Sequence, residues 1–500
     1  YVHQAEALAD RFGAIVLSLP ESFSVPKKDT AILRELGIKV ERVPDGLSLG
    51  NSIAFCLKMI DDDRIAILHG DTLIYDIDLS GDDGFTSHVT EDQPYTWAVL
   101  ENGGEDHSLE KVSEYVTGAG HKILSGFFQF SSAKTLIRAL TITNGDFIES
   151  LRLYNKEIRQ QPLQAGEWFD FGHFHTYYRS KTKLTTERAF NGLDIDKISV
   201  AKSSQDQFKM ACEAGWFRSI PDELKLFTPT FLGTFETKDG ASGYKTERLM
   251  FSSLNDMFIF GRLGPQIWDS IFAECAFFLD SCRKHKPETF QTAACEQLYL
   301  PKTLTRLKDF HQQSGIPIDV DMRYNGTAVP SLTAVAHFAS QFIPALEGQH
   351  VSVMHGDFCF SNILYDSRAR QIRVVDPRGF VSKGQPTIYG DGRYDLAKVF
   401  HSAVGFYDLI IAGYFEVSLD GQDFQFELIA DDYIQIVHDS FLAHQFGPLR
   451  GDDPVLVAIA IHLFLSMVPL HADHPQRQLA FLANAYRLYL MLREKGTTGQ

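Results

Sequence analysis

Short apolar runs alternate with amphipathic stretches along the first part of the chain. Residues 14–19, 39–43 and 65–68 are predicted strands, and residues 29–36 and 48–60 are predicted helices between them. This alternation is typical of a wound α/β sheet with mainly parallel strands. Ligands of such sheets bind beyond the carboxyl ends of the strands. We therefore expect a ligand site where polar residues follow a predicted strand.

Two aspartates occupy such positions. Asp71 comes directly after the strand 65–68, and Asp170 lies in the later sequence Trp-Phe-Asp-Phe-Gly-His. A carboxylate at a strand end can hold Mg²⁺ against the phosphates of a nucleotide, and two converging carboxylates can hold one ion or two. Strand-end aspartates are also common turn caps. Together the pair predicts a metal site, whereas His173 and His175 are better explained as partly buried, hydrogen-bonded histidines.

Residues 1–182 resemble the sugar-nucleotide nucleotidyltransferases. The resemblance implies a GT-A-like α/β domain in which Asp71 and Asp170 bind metal, with Tyr177 or Tyr178 following the second aspartate. It also implies that the loop 46–52 contacts the base of a nucleotide through Gly50 and Ser52, and that residues 125–130 form a strand near the sugar.

The same family has a Gly-rich loop with an Arg, followed by a Lys, which cradles the triphosphate. This sequence contains no such loop. We expect that the stretch is either missing from this sequence or lost from the domain. Without it nucleotidyl transfer would lose much of its charge stabilisation, so the domain would be inactive or would only bind a sugar phosphate.

A second group of polar residues lies in residues 351–379, where three short apolar runs predict a strand followed by a β-hairpin. His355 and Asp357 follow the first run, Asn362 precedes the second, and Asp376 ends the third. Phosphoryl transfer from ATP needs one carboxylate to orient the attacking hydroxyl, and an amide and a second carboxylate to hold Mg²⁺. The Asp-x4-Asn spacing equals that of the kinase catalytic loop. The alternative is a hairpin whose polar ends arose by chance.

A lysine and a glutamate precede this group in the order that kinases use. Residues 197–202 alternate like an antiparallel strand and end on Lys202, and the helical stretch 208–217 carries Glu213. In kinases a strand lysine grips the α- and β-phosphates and is positioned by a helix glutamate. We predict these roles for the two residues.

The His-Gly-Asp-x4-Asn pattern with a later Asp resembles the signature of the aminoglycoside phosphotransferase and choline kinase-like family. The resemblance implies that Asp357 is the catalytic base and that Asn362 and Asp376 are the Mg²⁺ ligands. His355 would support the loop. The Tyr-Asp-Leu-Ala-Lys motif implies that Asp395 supports the loop by hydrogen bonds, although an N-terminal helix cap would explain Asp395 equally well.

The family also joins its two lobes after a strand such as the one that ends near residue 250. Backbone groups of Glu247 and Leu249 would there contact adenine. The implied architecture is an α+β two-lobed kinase-like domain, with a small lobe at 183–262 and a large lobe at 263–500.

Composition limits the partners and the compartment. The 500 residues suffice for two to four domains, and the net charge of −17 disfavours nucleic acid and anionic membranes as partners. Six scattered cysteines without a Cys-x-x-Cys pair predict a reduced, cytoplasmic protein. The apolar run 455–470 is interrupted and shorter than a bilayer requires, so it predicts a buried helix and no membrane insertion.

These patterns predict a kinase that uses ATP and Mg²⁺ to phosphorylate a sugar or amino-alcohol, fused to a sugar-phosphate nucleotidyltransferase-like domain. Such fusions resemble enzymes that supply precursors of capsule or surface polysaccharide. One alternative is a single-activity kinase whose N-terminal domain only binds ligand. Another is a scaffold with an inactive kinase fold. The sequence leaves open the acceptor, the nucleotide of the first domain and the oligomeric state.

Overall fold

The computed structural model divides the chain into two compact units, Tyr1–Arg188 and Ala189–Gln500. It describes residues 2–8, 11–25, 27–90, 95–100, 109, 112–117, 120–173, 176, 180, 192–196, 198–238, 240–290, 292–382 and 384–498. His175, Tyr177, Tyr178 and the predicted boundary at 182/183 lie outside these residues. The three predicted domains stay predictions.

The first unit contains both helices and strands. Its described helices are α1 (Val2–Leu8), α2 (Lys27–Glu35), α3 (Leu49–Leu57), α4 (Ala133–Ile142) and α5 (Phe147–Glu157). Its described strands are β1 (Ile15–Pro20), β2 (Ile38–Val43), β3 (Ile65–Leu68), β4 (Thr72–Ile74), β5 (Gly84–Val89), β6 (Tyr95–Leu100), β7 (Val112–Thr117), β8 (Lys122–Phe130), β9 (Gln161–Leu163) and β10 (Trp168–Asp170).

The main sheet of the first unit is built on β8, which is buried over most of its length. The strand order is β7-β6-β8-β5-β9, and β3 also pairs with β8. The α/β class is confirmed, but the prediction of mainly parallel strands is wrong for the described pairs. Only β1–β2 and β5–β9 among them are parallel. The strand–helix alternation that predicted parallel strands ends at residue 68, and β4 to β8 follow one another without a described helix, which permits antiparallel pairing.

The second unit begins with an antiparallel sheet of order β11-β12-β14-β13, covered by helix α6 (Gln207–Ser219). The four strands are β11 (Gly192–Ile195), β12 (Ser199–Ser204), β13 (Phe231–Glu236) and β14 (Ser242–Glu247). Lys202 and Tyr244 are register partners on β12 and β14. Their side chains therefore lie side by side on one face of this small sheet.

The rest of the second unit is mainly helical. Its described helices are α7 (Asp222–Lys225), α8 (Leu254–Phe260), α9 (Pro265–Arg283), α10 (Ala293–Glu296), α11 (Leu300–Ser314), α12 (Leu332–Ser340), α13 (Gly392–Ala403), α14 (Tyr407–Ile411), α15 (Asp432–Ala443), α16 (Pro454–Met467) and α17 (Pro475–Thr498). Its further described strands are β15 (Ser252–Ser253), β16 (Met322–Tyr324), β17 (Thr327–Val329), β18 (Val351–Val353), β19 (Ile363–Asp366), β20 (Gln371–Val374), β21 (Tyr389–Asp391), β22 (Phe415–Asp420), β23 (Asp423–Leu428), β24 (Gln445–Phe446) and β25 (Leu449–Arg450).

Helix α16 forms the centre of the large core of the second unit. Residues Val455 to Ser466 are all buried, and α11, α12, α13 and α17 pack around them. Pro454–His471, at a mean hydropathy of 1.9, is the one segment in the described ranges long and apolar enough to cross a bilayer, and 72% of it is buried inside the protein. This agrees with the predicted buried helix. The six cysteines are free thiols.

Candidate active site

Lys202 connects the small sheet of the second unit to the hairpin that follows the His-Gly-Asp loop. Its Nζ lies 2.8 Å from Glu213 Oε2 and 3.1 Å from Asp376 Oδ1. The side chains of Lys202 and Glu213 are 9% and 3% exposed. Burial alone would lower the pKa of Lys202, but the carboxylates of Asp376 and Glu213 raise it, so the lysine keeps its charge. The structure thus brings together three residues that the sequence predicted separately.

Tyr244 completes this network and was not predicted from the sequence. The Tyr244 hydroxyl donates to Glu213 Oε2 at 2.9 Å. The Tyr244 hydroxyl oxygen also lies 3.3 Å from Asp376 Oδ1. Burial raises the pKa of Glu213 despite its pairing with Lys202. A donated hydrogen bond therefore helps to keep this buried carboxylate ionised. The only sequence signal for Tyr244 was the alternation of side chains along β14. This alternation does not reveal which strand pairs with β14.

The hairpin β19–β20 places the two predicted metal ligands at the same end. Ile363 pairs with Val374, and the Val375 N–H donates to the Asn362 carbonyl at 3.0 Å. Asn362 and Asp376 therefore leave the hairpin next to each other. Asp376 has a φ of 56° and a side chain that is 48% exposed. Left-handed backbone at a residue other than glycine is strained and is concentrated at functional sites.

These two side chains fit Mg²⁺ by the chemistry of their donors. Carboxylate and amide oxygens are ligands that Mg²⁺ accepts, and the ion usually keeps several waters beside one or two protein groups. The Asn362 amide N–H₂ donates to the carbonyl and the Oδ2 of Asp357, at 2.9 and 3.0 Å. Its nitrogen is thereby turned to Asp357, and its oxygen remains the atom suited to a cation. In the described part of the chain, no cluster of three or more His, Cys, Asp or Glu residues has a metal-holding arrangement.

Asp357 is held through both of its carboxylate oxygens. Oδ2 accepts from Asn362, and Oδ1 lies 2.7 Å from Lys398 Nζ on α13. Burial would raise the pKa of Asp357, but Lys398 outweighs it and lowers the pKa to about 2. Sequence reasoning missed Lys398. The available signal was its position three residues after Asp395, which puts both side chains on the same face of one helix.

Asp395 fixes the backbone of the His-Gly-Asp loop. The N–H groups of His355 and Gly356 donate to its two carboxylate oxygens at 2.6 and 2.8 Å. Burial raises the pKa of Asp395 to about 7, and these two donors oppose the rise. Asp391 is the residue that caps α13, so the helix-cap explanation of Asp395 is wrong.

The ring of His355 is fully buried beside the same loop. Burial lowers the pKa of His355 to about 4, so the ring is neutral at physiological pH. Its Nδ1 accepts a hydrogen bond of 3.3 Å from the Asp357 N–H. The acceptor nitrogen must be unprotonated, which agrees with a neutral ring that orders the loop.

The predicted adenine contacts, Glu247 and Leu249, lie at the last residue of β14 and just after it. The Glu247 carboxylate accepts hydrogen bonds from the N–H and the hydroxyl of Thr230, at 3.0 and 2.8 Å. These bonds tie the residue before β13 to the end of β14, so the Glu247 side chain has a structural role. Leu249 lies half-buried in the connection between β14 and β15. The adenine contact of this connection stays a prediction.

In the first unit, Asp71 and Asp170 face each other across Gly172. A Cβ added at Gly172 would run into the Asp71 carboxylate and would lie 3.4 Å from Asp170 Oδ1. Strand β10 pairs with β4, and the Phe171 N–H donates to the Asp71 carbonyl at 2.8 Å, which holds the two segments together. Both aspartates line a cleft of about 410 Å³. The pair predicted from the sequence therefore shares one cleft.

The Asp170 carboxylate is already engaged by its own segment. Oδ1 accepts from the Gly172 N–H at 3.1 Å, and Oδ2 accepts from the Thr176 hydroxyl and lies 2.8 Å from His173 Nδ1. His173 thus has the hydrogen-bond partner expected of it.

Gly50 and Ser52 lie within helix α3, so the predicted base-contacting loop ends before them. Gly50 is buried, and a Cβ there would run into the carbonyl of Gly145. Close packing thus explains the glycine, and the base contacts of Gly50 and Ser52 stay predictions. Ser48 and Leu49 line the cleft instead.

Neither a family model nor a curated protein matches this chain. Several solved structures are similar to it. A thermostable mutant of the aminoglycoside phosphotransferase APH(4)-Ia is 14% identical, with 63% of this chain and 98% of that chain covered and a TM-score of 0.36. APH(3'')-Id from Streptomyces rimosus, in complex with ADP and streptomycin, is 18% identical, with coverages of 57% and 97% and a TM-score of 0.33.

Two further structures are similar to a smaller part of the chain. HddC from Yersinia pseudotuberculosis is 19% identical, with coverages of 37% and 84% and a TM-score of 0.26. A provisionally assigned glucose-1-phosphate thymidylyltransferase from Bacillus anthracis is 13% identical, with coverages of 36% and 79% and a TM-score of 0.28. These neighbours agree with the two resemblances seen in the sequence.

Proposed function

We propose that the second unit transfers the γ-phosphate of ATP to a hydroxyl group of a small molecule, a sugar or an amino-alcohol. The observation that carries this proposal is the position of Lys202 Nζ, 2.8 Å from Glu213 and 3.1 Å from Asp376. A lysine held by a helix glutamate next to the metal-site aspartate is the arrangement by which kinases grip ATP phosphates. Burying a lysine costs desolvation free energy, so a buried lysine that bound no ligand would be an unfavourable way to stabilise a sheet.

Each residue of this site has a separate role in phosphoryl transfer. Lys202 binds the phosphates of ATP, and Asn362 and Asp376 hold Mg²⁺ through their oxygens. The ion neutralises charge on the phosphates. Asp357 accepts a hydrogen bond from the acceptor hydroxyl and aligns it with the γ-phosphorus. Because its pKa is about 2, the carboxylate is ionised at every physiological pH and takes the proton only late in the reaction.

The first experiment measures ADP release from MgATP with a panel of sugars and amino-alcohols. Asp357→Asn is expected to lower turnover by about 10²- to 10⁴-fold, the range of a positioned acid–base group. Asp420→Asn, at the exposed end of strand β22 in the same unit, is the matched control. Turnover that survives Asp357→Asn at the level of the control would show that the base is another residue.

Binding of MgATP is measured separately from turnover, by the shift of the melting temperature. Lys202→Met is expected to abolish the shift, and Lys308→Met, at an exposed position of α11, is expected to keep it. A wild-type protein whose melting temperature MgATP does not change would favour the scaffold alternative.

For the first unit we propose a sugar-phosphate nucleotidyltransferase-like site at Asp71 and Asp170. Its support is the shared cleft of about 410 Å³. The alternative of a unit that only binds ligand is favoured by one observation, since the Asp170 carboxylate is already engaged by His173 and Thr176.

Pyrophosphate release from nucleoside triphosphates and sugar phosphates distinguishes these two functions. Release is expected to be lost in Asp71→Asn and kept in the exposed control Asp62→Asn. No release from the wild-type protein would favour ligand binding alone. With both activities, the chain would supply activated sugar precursors in the cytoplasm, as for capsule or surface polysaccharide.

A further inference from the structure

One face of α13 contacts the His-Gly-Asp loop and the residues after it at three points. Asp395 accepts from the N–H groups at the start of the loop, and Lys398 contacts the Asp357 carboxylate. One turn further along the helix, the Ser402 hydroxyl accepts a hydrogen bond of 3.2 Å from the Phe360 N–H. The three helix residues are three and four positions apart, so they lie on one side of α13. The chain from the loop to Phe360 therefore follows this side of the helix.

Phe360 is fixed by its side chain as well as by its main chain. Its ring stacks on that of Trp268 with the centroids 5.6 Å apart, and it lies 5.4 Å from the ring of Phe258. Phe360 and Ser402 are both fully buried. Because a buried N–H needs a partner inside the protein, the Phe360 N–H depends on the Ser402 hydroxyl.

The Ser402 hydroxyl is itself oriented by a carboxylate. Asp408, in helix α14, is buried. Burial raises the pKa of Asp408 to about 6, and its hydrogen bond with the Ser402 side chain opposes the rise. A serine hydroxyl has one proton to donate and lone pairs to accept with. With the proton directed to Asp408, the Ser402 oxygen presents a lone pair to the Phe360 N–H.

The N–H that Ser402 holds lies between the candidate base and a candidate metal ligand. Phe360 begins a single 3₁₀ turn that ends at Asn362, and the Asn362 N–H donates to the Cys359 carbonyl at 3.0 Å. The side-chain amide of Asn362 donates to the carbonyl and the Oδ2 of Asp357. A displacement of this turn would therefore move the Asn362 side-chain oxygen relative to Asp357 and Asp376.

We propose that Ser402 is a positioning residue for the Mg²⁺ site of the second unit. By holding the Phe360 N–H it fixes the 3₁₀ turn, and the turn sets where the Asn362 side-chain oxygen lies. Ser402 acts through Asn362 and not by binding the ion. The proposal rests on the proposed kinase function, in which Asn362 is a Mg²⁺ ligand. Replacing a residue that orients a metal ligand typically lowers metal affinity by about 10- to 100-fold.

The test measures how Mg²⁺ strengthens the binding of ADP. ADP is titrated calorimetrically into the full chain at a series of fixed Mg²⁺ concentrations. Ser402→Ala leaves the buried Phe360 N–H without its acceptor, and we expect the Mg²⁺ concentration that gives half of the gain in ADP affinity to rise about tenfold. The affinity for ADP without Mg²⁺ is expected to match the wild type. Ser402→Thr keeps the hydroxyl and is expected to retain the wild-type Mg²⁺ dependence.

Ser466→Ala is the matched control for the loss of a buried hydroxyl. Ser466 is buried in α16, and its hydroxyl donates to the Leu463 carbonyl of its own helix at 3.2 Å. Its replacement is expected to leave the Mg²⁺ dependence unchanged, and urea unfolding checks that both alanine variants are folded. An unchanged Mg²⁺ dependence in Ser402→Ala, or an equal change in Ser466→Ala, would overturn the proposal.

The same titration separates failure of the positioning role from failure of the kinase function. A wild-type protein that binds no ADP at any Mg²⁺ concentration would contradict the kinase function, and the proposal with it. ADP binding that Mg²⁺ strengthens equally in the wild type and in Ser402→Ala would leave the kinase function standing and overturn the positioning role alone. The Mg²⁺ concentration for half-maximal ADP release from MgATP is a second measurement, and Ser402→Ala is expected to raise it by the same factor.

Discussion

Replacing Lys398 by methionine removes the ammonium group that contacts Asp357 and keeps an unbranched side chain in its place. The ammonium lies 2.7 Å from Asp357 Oδ1, and the Lys398 side chain is 11% exposed. The pKa of Asp357 is lowered from 3.8 to about 2, although burial alone would raise it. A depression of this size corresponds to a net stabilisation of the ionised carboxylate by about 2 kcal/mol. Because the Asp357 side chain is 44% exposed, water screens part of it, and we expect a coupling of about 1–2 kcal/mol.

The sign of the pH dependence follows from the depressed pKa. An aspartate that is easier to ionise in the folded state stabilises the fold above its unfolded pKa of about 4. This stabilisation is lost as the pH falls through the folded value of about 2. The full coupling between Lys398 and Asp357 should therefore be present at pH 7.

A double-mutant cycle isolates the interaction free energy between Lys398 and Asp357 from the other effects of each substitution. The free energy of unfolding in urea is determined at pH 7 for the wild type, Lys398→Met, Asp357→Asn and the double variant. We expect Lys398→Met to cost about 1–2 kcal/mol less in the Asp357→Asn background. Equal costs in both backgrounds would refute the inference that Lys398 stabilises the ionised Asp357.

Three further predictions concern stability and are measured by urea unfolding. Tyr244→Phe removes the hydrogen bond to the buried Glu213 and should cost about 1.5–3 kcal/mol, whereas a cost within error of zero would mean that the hydroxyl is dispensable. Asp395→Ala leaves two buried N–H groups without acceptors and should cost about 2–5 kcal/mol, and Asp395→Asn, which keeps one acceptor, should cost less. Equal costs for the two variants would contradict this. Gly50→Ala should destabilise the first unit by about 1–3 kcal/mol because its Cβ meets a backbone carbonyl, while the control Gly81→Ala meets only a leucine methyl at 3.7 Å. An equal effect of both would refute the packing role of Gly50.

Much of the kinase-like site could be predicted because its residues follow short local patterns. The strand that carries Lys202 and the helix that carries Glu213 are each visible as a periodicity in the sequence. Asn362 and Asp376 are brought together by a single hairpin, whose two apolar runs already predict their pairing. The structure brings the two metal-site candidates of the first unit, Asp71 and Asp170, into one cleft too.

The wrong prediction of strand direction in the first unit has a physical cause. Strand direction depends on which elements become neighbours, and local periodicity reports only which face of an element is apolar. A glycine in a sequence can indicate either a loop that contacts a ligand or a close approach of two backbone segments. At Gly50 the clash of an added Cβ with the Gly145 carbonyl supports the close approach, and it is visible only after folding.

The sequence by itself predicted most of the elements, the order of the candidate catalytic groups and the kinase-like arrangement, because these depend on residue type and short spacing. The tertiary structure alone decided what surrounds Asp357. Asp357 lies in the loop after β18 and Lys398 on α13, and the two side chains meet because these elements pack in one core. Electrostatic attraction acts through space, so the charge that faces Asp357 becomes visible only when the chain is folded.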